Sequence, residues 1–143
     1  MEKSEYRVNL VNEYLTKLSL SEDIKEFFFR RNILVTGGAG AIGSNLVIAL
    51  SELVGDQGMV IVLDNLSAIK GSDPIDFPSL SNVMFVKGDV RNDVDLKRVF
   101  RERPTIVYHL AAFFANQNSV DYPETSADVD INGMIKLLDL AQF

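Results

Sequence analysis

The chain contains no cysteine, which excludes a disulfide scaffold and any thiolate metal centre. It has a single histidine, His109, with no second histidine or clustered carboxylate at metal-ligand spacing, so no metal is expected and His109 reads as a buried strand-end side chain. No apolar run approaches the roughly 18 residues needed to span a bilayer. The N-terminus, Met1-Glu2-Lys3-Ser4-Glu5, leads into polar sequence rather than a signal-peptide core. The expectation by default is therefore a cytoplasmic chain with no membrane partner. Positive charge is also short: 14 Lys and Arg stand against 20 Asp and Glu, a net charge of -6, which argues against nucleic acid as a partner. There is no internal repeat and no low-complexity segment. What remains is 143 residues with 47% hydrophobic content, enough for one domain with a core of its own.

The most informative stretch is Thr36-Gly37-Gly38-Ala39-Gly40-Ala41-Ile42-Gly43. It follows the apolar run Ile33-Leu34-Val35 and precedes Asn45-Leu46-Val47-Ile48-Ala49-Leu50, so it joins a buried strand to a helix. Each glycine has a physical reason. Gly37 permits a sharp turn, Gly40 lets backbone approach a pyrophosphate without an intervening Cβ, and Gly43 lets the helix pack closely on the strand. The first helical turn, including Ala41 and Ile42, offers free N–H groups and the positive end of the helix dipole to an anion. A tight turn that binds nothing would use the same glycines; the strand before and helix after favour phosphate binding.

A second apolar run, Met59-Val60-Ile61-Val62-Leu63, ends in Asp64, about 20 residues beyond the last motif glycine and at the offset of a ribose-binding carboxylate. Such a carboxylate accepts hydrogen bonds from ribose hydroxyls and repels a 2′-phosphate, which favours NAD over NADP. Lys70 stands near enough in sequence to moderate that repulsion. The competing reading is an Asp-Asn turn at a strand end.

From Arg31 onward the pattern is strand, helix, strand, loop, strand, helix, strand, helix. Strands are expected at Ile33 to Thr36, Val60 to Asp64, Val83 to Lys87 and Ile106 to His109. Helices are expected at about Ala41 to Val54, Val94 to Arg101 and Thr125 to Ala141, with a ligand-side loop from Ser67 to Ser81. This alternation implies an α/β fold of Rossmann type, a parallel sheet with a crevice beyond the strands' C-terminal ends. Residues 1–30 read as a helical N-terminal extension to a dinucleotide-binding domain over 31–143. Leu10, Val11, Tyr14, Leu15 and Leu18 recur at helical spacing. Ser19 to Glu22 has the form of a capping box for a second helix carrying Ile24, Phe27 and Phe28. That extension is either a dimerisation or docking element or, the favoured reading, a cover over the domain's own apolar surface.

The motifs from Thr36 to Gly43, Asp64-Asn65-Leu66-Ser67, Gly88-Asp89-Val90-Arg91, His109-Leu110-Ala111-Ala112 and Ser119-Val120 with Pro123, taken in order, resemble the extended short-chain dehydrogenase/reductases, in the NAD-dependent epimerase/dehydratase group. The likeness runs from Asn32 to Gln142. It implies NAD as cofactor and a nucleotide-sugar substrate for the complete enzyme, with transient hydride transfer at a sugar carbon. It also implies that Asn65 and Ser67 accompany Asp64 at the cofactor, and that Asp89 meets the adenine amino group while the Val90 backbone meets the ring. Leu110, Ala111 and Ala112 then line the nicotinamide half; Phe113 and Phe114, where family members often carry polar residues, form either an apolar wall beside the cofactor or part of the core.

Two departures stand out. The family helix opening Asn-Val-x-Gly-Thr reads, without a gap, Asp130-Ile131-Asn132-Gly133-Met134; placing Asn132 at the family Asn needs a two-residue deletion, about 200° of helix rotation. The family's catalytic Tyr-x-x-x-Lys is also missing. Tyr6, Tyr14, Tyr108 and Tyr122 are followed four places on by Leu10, Leu18, Ala112 and Ser126, so no catalytic residue is assigned. The expectation is the N-terminal cofactor-binding half of a longer epimerase or dehydratase, inactive by itself. The alternative is a stand-alone dinucleotide-binding module without chemistry. The last strand, Ile106 to His109, is expected to leave an apolar edge, with association or poor solubility unless the N-terminal helices or a second copy, as in a homodimer, cover it.

Overall fold

A computed structural model describes residues 3–67, 79–113 and 116–142. Its order is α1 (Lys3–Leu18), α2 (Glu22–Phe28), β1 (Asn32–Thr36), α3 (Ala41–Val54), β2 (Met59–Asp64), β3 (Val83–Lys87), α4 (Asp93–Phe100), β4 (Ile106–His109), α5 (Asn116–Asp121), α6 (Pro123–Ala127), a π-helical turn (Asp128–Asn132) and α7 (Gly133–Ala141). Lys70, Phe114 and most of the expected 67–81 loop lie outside the described residues.

The four strands form one parallel sheet in the order β3-β2-β1-β4. Its central strands read as unbroken apolar runs because both faces are covered. Side chains alternate across a strand, and the two cores follow that alternation. Ile33, Val35, Val60 and Val62 pack with Val47, Leu50 and Val54 of α3. Leu34, Ile61, Leu63 and Val86 pack with Leu96 and Val99 of α4, and with Val129 and Leu137.

The N-terminal helices pack on α3. Phe28 reaches the α3-side core, while Arg7 of α1 donates through Nη2 to Ser44 Oγ at 2.6 Å. The apolar spacing in α1 divides between two faces: Val11 and Leu15 are half-buried, whereas Leu10, Tyr14 and Leu18, with Tyr6, are exposed. The Ser19–Glu22 pattern does not cap α2. Ser19 has φ 47° beyond the end of α1, and the residue before the first turn of α2 is Ser21, whose side chain makes no capping bond. Two helix ends also differ from expectation. Asn92, not Val94, sets the start of α4, its side chain accepting from the amides of Val94 and Asp95. The single helix expected over Thr125 to Ala141 starts at Pro123, where proline's missing N–H costs nothing, and is interrupted by the π turn. No described helix is long and apolar enough to cross a membrane.

Candidate cofactor site

Parallel strands deliver their C-terminal residues to one edge, and there β1, β2 and β4 each contribute a different group. At the end of β1 the chain turns at Gly37, with φ +68°. A Cβ on Gly37 would lie 2.7 Å from the Ala111 amide nitrogen and the Leu110 carbonyl, so this glycine is fixed by both backbone conformation and close approach. A Cβ on Gly43 would lie 2.4 Å from the Gly37 oxygen and 2.7 Å from the Gly38 Cα. The helix therefore packs closely on the turn itself rather than on the strand. Gly40 precedes α3 with extended φ/ψ, and a Cβ there would meet only the Gly37 oxygen, at 3.3 Å. The first intrahelical bond is Ser44 N–H to the Gly40 carbonyl. The amides of Ala41, Ile42 and Gly43 thus precede the helical ladder, and Ile42 is exposed.

Asp64 ends β2 and sits against this turn. Its Oδ2 accepts the Ala39 N–H at 2.9 Å and its Oδ1 the Leu66 N–H at 2.7 Å. A carboxylate has about four acceptor sites, so two remain for hydroxyl donors. Asn65 donates through Nδ2 to Asp89 Oδ2 (3.0 Å) and accepts the Ser67 N–H (2.9 Å), linking the β2 and β3 exits. Asp89 is more heavily engaged. Arg91 reaches it with Nε at 2.9 Å, Nη2 at 2.8 Å and its own amide at 2.9 Å. The Arg91 guanidinium holds the Asp89 carboxyl far below the usual carboxylate range, helped by the Arg91 and Asn65 amides and opposed by burial. An adenine amino group meeting Asp89 would share an acceptor site with Arg91 or Asn65. Among the described residues the Val90 N–H has no acceptor.

The β4 exit is fastened to β1 by Thr36, which is fully buried. Its carbonyl accepts the Leu110 N–H (3.0 Å) and its Oγ1 the Ala111 N–H (3.2 Å). Thr36 Oγ1 also lies 2.6 Å from His109 Nδ1. With Oγ1 accepting from Ala111, the arrangement that satisfies every group has the hydroxyl donating to an unprotonated Nδ1. Burial pushes the His109 pKa down, opposed in part by the charge of Asp130. No motif singles out Thr36 for this role, since its partners stand more than 70 positions away. Gly38 and Gly88 lie inside motifs but are constrained by residues outside them: a Cβ would meet Val62 Cγ1 at 2.6 Å in the first case and the Asp95 carboxyl at about 2.8 Å in the second.

These exits enclose a cleft of about 110 Å³. Its lining includes Gly37, Gly40, Asp64, Asn65, Ser67, Val90, Ala111 and Ala112. Ala41, Ile42, Gly43, Asp89 and Leu110 stand next to the cleft rather than on its wall. A larger cleft of about 940 Å³, between the N-terminal helices and α3, is lined by none of these residues. Open backbone at Gly40, orphan amides at the start of α3 and spare carboxylate acceptors at Asp64 fit a dinucleotide in chemistry and in order. Among the described residues no group of three or more His, Cys, Asp or Glu could hold a metal ion.

Comparison with known proteins gives the same picture. Residues 34–143 match the family described as GDP-mannose 4,6 dehydratase. CDP-paratose 2-epimerase of Salmonella typhi is 37% identical over 110 residues, covering 75% of this chain and 31% of that protein. The epimerase Mth375 of Methanothermobacter thermautotrophicus superposes with a TM-score of 0.75 at 48% identity, over 84% of this chain and 34% of its own. The Thermus thermophilus UDP-glucose 4-epimerase, solved in complex with NAD, gives a TM-score of 0.62 at 38% identity, over 76% of this chain and 33% of its own. The chain spans about a third of the length of most of the curated relatives it matches. With the matched region reaching from β1 through α7, the chain belongs to the GDP-mannose 4,6 dehydratase family, in the NAD-dependent epimerase/dehydratase group that its motifs resemble.

Proposed function

We propose that this chain is the NAD-binding portion of a nucleotide-sugar epimerase or dehydratase. The observation that carries the reading is the convergence, at one sheet edge, of the orphan amides of α3, the Asp64 carboxylate and the Thr36-fastened strip 110–112. In this reading Gly37, Gly40, Ala41, Ile42 and Gly43 hold the pyrophosphate. Asp64, with Asn65 and Ser67, holds the adenosine ribose, Asp89 and Val90 hold the adenine, and Leu110, Ala111 and Ala112 line the nicotinamide half. The Thermus thermophilus complex with NAD supports the choice of cofactor, and a Bordetella bronchiseptica relative solved with NAD and UDP supports a nucleotide-sugar substrate. When bound, NAD supplies the acceptor for a hydride from a sugar carbon. This chain's residues bind and orient it; they include no Tyr-x-x-x-Lys to take the sugar hydroxyl's proton.

Calorimetric titration of the folded chain with NAD tests the assignment. Saturable binding is expected, with NADH absorbance staying flat when UDP- and dTDP-sugars are added to the NAD-loaded chain. A well-folded sample that takes up no NAD overturns the reading.

A further inference from the structure

The strip after β4 is held at both ends. Thr36 fixes its start through the Leu110 and Ala111 amides. Its end is fixed by Asp130, whose Oδ1 accepts the Phe113 N–H at 2.8 Å. The other oxygen, Oδ2, accepts the Ser126 hydroxyl at 3.0 Å. Asp130 lies in the π turn, a widened helical geometry that recurs at functional sites. Among the described residues it forms no ion pair, and its side chain is exposed. The nearby imidazole of His109 is biased toward its neutral form by burial, so it does not offset the charge. Asn132, the other candidate for this position, donates instead to Asp128 on its own helix at 3.1 Å. The ungapped alignment is therefore the one in which a side chain reaches the strip.

Sheet order says what lies near that charge. A dinucleotide with its ribose at the end of β2 and its pyrophosphate at the end of β1 extends its remaining ring over the end of β4, the next strand in the sheet. That ring is the nicotinamide, which carries a positive charge when oxidised and none when reduced. We propose that Asp130 is a positioning and specificity residue of the cofactor site: it fastens the strip Leu110–Phe113, and its carboxylate charge makes the site prefer the oxidised dinucleotide. This rests on the dinucleotide-binding reading above. Asparagine at this position would keep the acceptor for Phe113 and remove the charge.

The two contributions separate in a titration of the full chain with NAD, NADH and ADP-ribose, comparing the parent with Asp130→Asn and Asp130→Ala. In Asp130→Asn the preference for NAD over NADH is expected to fall by about threefold to tenfold, the size of one partly screened charge. ADP-ribose affinity should not change, because it lacks the ring. Asp130→Ala should additionally weaken NAD and NADH together through loss of the Phe113 bond. An unchanged NAD-to-NADH ratio in Asp130→Asn, with NAD still bound, overturns this inference and leaves the dinucleotide reading intact. An equal loss of ADP-ribose affinity overturns it too, since the effect would then lie away from the ring. A parent chain that binds none of the three overturns both readings.

Discussion

Asp64 shows how one side chain serves the fold and the site together. Its two oxygens already order the glycine turn and the following bend through the Ala39 and Leu66 amides, and the remaining acceptor sites carry the proposed ribose contact. Replacing Asp64 with Asn removes the charge that strengthens those bonds and repels a 2′-phosphate. NAD affinity should fall by about 1.5–3 kcal/mol and the advantage over NADP should narrow, as measured by paired calorimetric titrations. Equal NAD affinity in variant and parent would contradict the assignment. His109 makes a different prediction. Its pKa is lower in the folded chain than in the unfolded one, chiefly because burial disfavours the charged ring. As pH is lowered through the ordinary histidine value of about 6.5 the unfolded state therefore binds more protons, and stability falls with decreasing pH until the folded value is passed. Denaturant midpoints should decrease between about pH 7.5 and about pH 5.5, and His109→Gln should flatten that slope. Protonation would also take the Nδ1 acceptor from Thr36 and so loosen the strip that begins at Leu110.

At the scale of elements, local sequence specifies some boundaries and leaves others to distant contacts. The Asn92 cap of α4 is local: its carboxamide oxygen serves two otherwise orphan amides, and Asn92→Ala should cost about 1 kcal/mol in denaturant unfolding. The helix also matters beyond its own stability, because Asp93 in its first turn pairs with Lys136 of α7 at 2.8 Å. The start and end of α3 and the limits of β3 and β4 are legible in the sequence, since a glycine stands at each end of α3 and the strands are apolar runs bounded by polar residues. The π turn at Asp128–Asn132 is not legible. A one-residue slip in hydrogen bonding leaves no mark in hydropathy, and the turn is recognisable only once Asp130 is seen against Phe113. The α2 cap departs from its sequence pattern for a related reason: Ser-x-x-Glu permits a capping box, but Ser19 is taken up in leaving α1 with a left-handed φ.

Across the whole molecule, the parallel order β3-β2-β1-β4 turns four separated motifs into one edge. Motif spacing makes the glycine turn and Asp64 legible, because the glycine triplet between strand and helix and the offset of the strand-end carboxylate from Gly43 are both written along the chain. The constraints on Thr36 and Gly38 are not legible, because they come from His109 and Val62 on other strands. The N-terminal helices rest on α3 and leave Tyr6, Leu10, Tyr14 and Leu18 exposed. The central claim is that the sheet edge takes NAD in one orientation, with adenosine over β2 and β3 and nicotinamide over β4. An amide-resolved NMR titration of the chain with NAD tests it most directly. The account predicts shift changes at Gly37–Gly43, Asp64–Asn65, Asp89–Val90 and Leu110–Ala112, with ADP-ribose reproducing all but the last group. Changes confined to the α1–α3 cleft, or none at saturating NAD, would contradict it.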